Sequence, residues 1–151
     1  MAPNLKNYTS EVPAHVSMAK IERCLVEAGA TDISKKYDDG VCRAITFRMF
    51  VNQVPVFFQL HAKVDACFKA MWGSMTPRGQ QQADRKKWMA QAERTAWKIV
   101  SDWVEIQLSM IRLEQVEALQ VFLAYVYNPA ADQTFYESLK EKNFKALLSN
   151  G

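Results

Sequence analysis

Apolar residues recur along this chain with two periods, and the switch between them marks out its elements. Met18, Ile21, Leu25 and Ala28 fall at helical spacing behind Ser17, a residue suited to an N-cap. Gly29 stands where a left-handed residue would end the helix. This predicts a first helix over 18–28. The β-leaning stretch 5–12 ahead of it, closed by Pro13, predicts a first edge strand. From Thr31 the period drops to two. A short strand over 31–37 runs into Asp38-Asp39-Gly40, a turn sequence. Within 41–51, Ile45, Phe47, Met49 and Val51 face one way and Thr46, Arg48 and Phe50 the other. After Asn52-Gln53, Val54, Val56, Phe58 and Leu60 share a face opposite Phe57 and Gln59. A two-residue hairpin is expected there, although a type I′ turn prefers Gly where Gln53 stands.

Helical spacing then returns. Val64, Cys67, Phe68, Met71 and Trp72 predict a helix over 63–72 closed by Gly73, and 74–79 reads as a loop or hinge. Residues 81–113 contain neither Pro nor Gly and predict one long helix. Further helix is expected over 114–127, up to Asn128-Pro129, and then a last helix capped by Asp132 that carries Phe135, Tyr136 and Leu139. The expected fold class is α+β. An N-terminal β-α-β-β-β-α unit with an antiparallel sheet precedes a C-terminal helical half built on the long helix. One domain, 1–151, is expected, with halves 1–75 and 76–151.

At about 100° per residue, Lys87, Gln91, Arg94 and Lys98 line one face of the long helix. Trp88, Ala92, Ala96, Ile99, Trp103, Ile106 and Met110 lie a quarter to half a turn away, and Met89, Val100, Val104 and Ile111 widen the apolar arc beyond half the circumference. Such a helix is expected at the centre, between the sheet and either C-terminal helices or a second subunit.

Charge sharpens the picture. The formal net charge is only +3, yet residues 76–98 hold Arg78, Arg85, Lys86, Lys87, Arg94 and Lys98 against Asp84 and Glu93, a local net of +4. Gln80, Gln81 and Gln82 add hydrogen-bond donors beside them. Phosphate suits such a cluster, because Lys and Arg release condensed counterions when they bind it. The competing explanation is a solvated face partly neutralised by Asp102 and Glu105. On the sheet, Arg48, Phe50 and Phe57 fall on the face away from the core. Aromatics interleaved with Arg there would stack unpaired bases, unless C-terminal helices cover that face.

Catalytic patterns are missing. His15 and His61 are the two histidines, and the chain has no zinc spacing, nucleophile elbow, P-loop or dinucleotide motif. His61 with Asp65, the Asp38-Asp39 pair and Cys67 each lack the partner groups that catalysis or a metal needs. No enzyme activity, no cofactor and no metal are expected. Cys24, Cys42 and Cys67, widely spaced within apolar patterns, read as buried thiols. Residues 1–10 lack the apolar centre of a signal peptide, and no run approaches the roughly 20 apolar residues that span a bilayer. A cytoplasmic protein without a membrane partner is expected.

The segments IERCLVEAGATDISKKYDDG, AITFRMFVNQVPVFFQL and AERTAWKIVSDWVEIQL resemble a group of small proteins encoded in prophages and other mobile elements. The resemblance covers residues 8–127 and carries no catalytic motif or functional residue. It implies a job of phage type inside a bacterial host cell, either handling nucleic acid or binding a host defence protein.

The leading expectation is a non-enzymatic nucleic-acid-binding protein that takes single strands rather than duplex. Lys87, Arg94 and Lys98 would contact phosphates, Arg78, Arg85 and Lys86 would form the rim, and Arg48, Phe50 and Phe57 would stack bases. The alternative is a protein-interaction module that inhibits or recruits a host protein through the apolar helical half. A second copy of the chain is a further candidate for that surface.

Overall fold

A computed structural model describes residues 2–148. Helix α1 (Ala14–Glu27) starts directly behind Pro13, and Ser17 is buried within it rather than capping it. Its end follows the sequence. Gly29 takes φ 113°, and the N–H groups of Ala30 and Gly29 return to the carbonyls of Leu25 and Val26. Strands β1 (Asp32–Asp38), β2 (Val41–Val51) and β3 (Val54–His61) form an antiparallel meander in the order β1-β2-β3. The β2–β3 hairpin closes through Asn52 and Gln53, both left-handed at φ 49° and 67°. This is type I′ geometry achieved without Gly. Phe47 pairs with Phe58 across the hairpin, and their buried rings stack with centroids 5.1 Å apart. Between Lys36 and Tyr37 the register slips and leaves Arg43 without a partner on β1. That bulge breaks the alternation, so Cys42 and Ile45, an odd number of residues apart, both join the core.

Helix α2 (Val64–Gly73) follows as expected. The stretch expected as a loop instead folds into α3 (Pro77–Gln82), because the Thr76 hydroxyl accepts from Gly79 N–H and Pro77 occupies the first turn. The long helix α4 (Arg85–Arg112) begins at Asp84, whose carboxylate accepts from the N–H groups of Lys86 and Lys87. One stripe of α4 is buried: Ala92, Thr95, Ala96, Trp97, Ser101, Val104 and Leu108. Ile106, assigned to the apolar arc by the wheel, is 56% exposed, so that arc is narrower than expected. Trp97 is fully buried, and its Nε1–H donates to the Cys42 carbonyl at 3.1 Å, which ties α4 to the bulged strand. Side chains from α1, the sheet, α2 and α4 share one core.

Two further expectations are corrected. Residues 5–12 form turns rather than a strand, and Asn7 is left-handed at φ 62°. Side chains of α4 satisfy the backbone that a neighbouring strand would otherwise pair. Gln91 Nε2 donates to the Tyr8 and Ser10 carbonyls (3.2 and 2.9 Å), and Thr95 Oγ1 to the Asn7 carbonyl (2.9 Å).

The helix expected over 114–127 is broken as well. Glu114 turns left-handed at φ 56°, and α5 (Ala118–Phe122) restarts from Glu117 with Gln120 completing a capping box. A 3₁₀ turn, Leu123–Tyr125, leads Val126 to bridge Phe58 at the free edge of β3. Phe122 is the anchor. Its buried ring stands edge-on to Phe47, Phe58 and Trp103, with centroids 5.3, 6.0 and 5.9 Å away. A small hairpin of β4 (Tyr127–Asn128) and β5 (Gln133–Thr134) follows, then α6 (Phe135–Glu141) and α7 (Lys145–Leu148). Thr134, not Asp132, caps α6, in a reciprocal box with Glu137. Among the described residues, no helix is long and apolar enough to cross a membrane.

Candidate nucleic-acid interface

Arg78 on α3 and Arg85, Lys86 and Lys87 in the first turn of α4 are all exposed. Among the described residues, none of the four lies within ion-pair distance of a carboxylate. The adjacent Asp84 carboxylate is directed at backbone N–H groups. Arg85 also has an aromatic seat. Its guanidinium carbon lies 4.7 Å from the Phe68 ring centroid and 5.3 Å from that of Trp72. Phe68 and Trp72 stack on each other with centroids 5.4 Å apart, and Trp72 remains half-exposed. Gln80 Nε2 donates to the Trp72 carbonyl at 2.8 Å and holds α3 against α2. Lys69, next to Phe68 on α2, is a further exposed cation that among the described residues has no carboxylate partner.

The rest of the cationic stripe is occupied. Lys98 Nζ lies 2.7 Å from Asp102 Oδ1, and both side chains are largely shielded. Arg94 Nε donates to the Ser10 carbonyl at 3.3 Å, and its guanidinium also binds Gln91 Oε1. Gln91, Arg94, Thr95 and Asp102 together seat the N-terminal strap on α4. The polar face seen on the wheel is thus an internal docking stripe beyond Lys87.

The stacking set lies elsewhere. Phe50 and Phe57 are 53% and 37% exposed, so this end of the outer sheet face is open. Its other end is crossed by the C-terminal hairpin, where Lys36 Nζ on β1 lies 3.5 Å from Asp132 Oδ2. Arg48 pairs with Asp32, donates from Nε to Thr31 Oγ1 at 3.3 Å, and lies 5.3 Å from the Phe50 centroid. Thr31 N–H donates to the Arg48 carbonyl, and nearby Glu27 pairs with Arg112 at the C-terminal end of α4. Arg85 begins the opposite end, and a 28-residue helix is about 42 Å long. Arg48, Phe50 and Phe57 therefore do not share one site with Arg78, Arg85, Lys86 and Lys87.

Cys24, Cys42 and Cys67 are free and buried, and burial pushes their thiol pKa values up. Asp65 pairs with Arg43 at 2.9 Å rather than with His61. Asp38 and Asp39 are exposed at the β1–β2 turn. Among the described residues, no group of three or more His, Cys, Asp or Glu side chains could hold a metal ion. The Phe68–Trp72 seat escaped the sequence reading because an i, i+4 aromatic pair is equally a core signal. Lys69 joins the cations only once α2 packs beside α4. Comparison with known protein families, with curated proteins and with solved structures gives no match to this chain.

Proposed function

We propose that this is a non-enzymatic nucleic-acid-binding protein, of the phage or mobile-element type its sequence resembles, acting in a bacterial cytoplasm. The contact surface is the α3–α4 junction. One observation carries the reading: Arg78 on α3 and Arg85, Lys86 and Lys87 at the start of α4 are exposed, and among the described residues none of them has a carboxylate partner. Unpaired cations of this kind keep their full capacity to displace counterions from phosphate. Single strands are favoured over duplex. The Arg85 guanidinium on the Phe68–Trp72 pair offers a flat cation beside a half-exposed indole, the chemistry on which unpaired bases stack. Arg94 and Lys98 make no phosphate contact in this proposal, since the N-terminal strap and Asp102 hold them.

The protein-interaction alternative started from the width of the apolar arc on α4. One stripe of α4 is buried, and Ile106, 56% exposed, is a part of that arc the chain leaves uncovered. Fluorescence anisotropy of a labelled single-stranded oligonucleotide, competed by unlabelled strand or duplex, tests the proposal. Unlabelled single strand is expected to displace the probe at lower concentration than duplex. Absence of binding at low salt removes the proposal.

A further inference from the structure

A second concavity lies outside the α3–α4 junction. It opens where the end of β3 and the start of α2 face the 3₁₀ turn and α6. This cleft, of about 670 Å³, is walled by His61, Lys63, Tyr125, Tyr136, Glu137 and Lys140. Two apolar slots adjoin it through His61. One, of about 200 Å³, lies between Leu60, Val100, Trp103 and Tyr125; the other, of about 280 Å³, lies between Ala66, Cys67 and Ala96. Ile99 lines both slots.

The charges at the mouth are unbalanced. Lys63 and Lys140 are exposed, and among the described residues neither lies within ion-pair distance of a carboxylate. Glu137, the carboxylate in the wall, is held in the cap of α6, where it accepts from Thr134 N–H at 3.2 Å and Thr134 Oγ1 at 2.8 Å. Burial, and then the Lys63 charge, lower the His61 pKa, so the imidazole adds a neutral ring to the wall at pH 7.

We propose that this trough binds an organic anion with an apolar body, its head held by Lys63 and Lys140 and its body lodged in the slots beside Ile99, Val100 and Trp103. A carboxylate on a single hydrocarbon chain is the simplest such ligand. Each half of the trough selects for one half of the ligand. An inorganic anion would leave the slots unfilled, and a neutral hydrocarbon would leave the two ammonium groups unmatched at its end. A nucleobase fits poorly, because its polar edge would meet Leu60, Ile99 and Val100 with few hydrogen-bonding partners. The proposal is independent of the nucleic-acid reading, which uses neither lysine.

Isothermal titration of the full chain with sodium octanoate, with 1-octanol as a parallel probe, tests it. Saturable one-site binding of octanoate is expected, about tenfold or more tighter than octanol, as charge-assisted hydrogen bonds imply. Lys63→Gln with Lys140→Gln should bring octanoate down to the octanol level without moving the thermal melt, since both side chains are exposed and neither has a carboxylate partner among the described residues. Ile99→Trp, which pushes a larger ring into the space that Ile99 lines, should weaken binding of both probes. Lys86→Glu with Lys87→Glu should leave octanoate binding unchanged. Equal affinity for the two probes, no saturable octanoate binding, or undiminished binding by the double glutamine variant overturns the proposal.

Discussion

Lys98 Nζ sits 2.7 Å from Asp102 Oδ1, one helical turn further along α4, and the same carboxylate accepts from Asn7 Nδ2 at 2.9 Å. Asp102 is therefore the peg on which the N-terminal strap is hung. Asp102→Ala is expected to cost about 1–2 kcal/mol at pH 7, the loss of charge-assisted hydrogen bonds in a shielded setting. Burial disfavours the charged carboxylate, but hydrogen bonds from Lys98 and Asn7 and the charges of Lys98 and Lys6 outweigh it and depress the pKa. A depressed folded-state pKa means that the stabilisation is complete above the ordinary Asp value, about 3.9. It is lost as the pH falls through the lower folded value. Urea denaturation of both proteins should show a constant difference from about pH 6 upward, shrinking below about pH 4.

Trp97 is the deepest link between α4 and the sheet. Trp97→Phe keeps a ring but leaves the Cys42 carbonyl without its donor and opens space beside it. A loss of about 2–3 kcal/mol is expected, and about 3–5 kcal/mol for Trp97→Ala. Denaturation midpoints should fall while the denaturant slope stays unchanged.

Gln53 holds φ 67° in a turn that favours Gly at this position. Gln53→Gly relieves a left-handed conformation that costs an L-residue roughly 1–2 kcal/mol, less the added freedom of Gly when unfolded. A net gain of about 0.5–1 kcal/mol in unfolding free energy is the expected result.

The sheet and its hairpin were legible because strict alternation and a two-residue gap are local signals. Helix α4 was legible because nothing within it breaks a helix. The segment after Arg112 was not, since its fate is decided by distant residues. Phe122 docks against Phe47, Phe58 and Trp103, and Val126 finds the free edge of β3. Those contacts override a helical sequence pattern. The cationic stripe failed in a different way. A helical wheel orders Lys87, Gln91, Arg94 and Lys98 along one face but cannot show that residues 7–10 will lie across most of it. Among the described residues Lys87 has no carboxylate partner, and the strap's contacts with α4 begin at Gln91.

The separation of the aromatic sheet tip from the helix start gives its own expectation. Phe50→Ala with Phe57→Ala removes two exposed rings at the sheet end that lies toward the far end of α4 from Arg85. Oligonucleotide affinity should stay within about twofold of the parent, because base stacking on a ring is lost only where bases reach it. A loss of tenfold or more, read by anisotropy, would return the sheet face to the interface.

The salt dependence of single-strand binding tests the central claim most directly. Four phosphate contacts by Arg78, Arg85, Lys86 and Lys87 predict a slope of log affinity against log salt of roughly −3. Lys86→Glu with Lys87→Glu should flatten it to about half that value, while Arg94→Gln leaves it unchanged. A slope near zero in the parent protein, or the same steep slope in the double glutamate variant, would contradict the account.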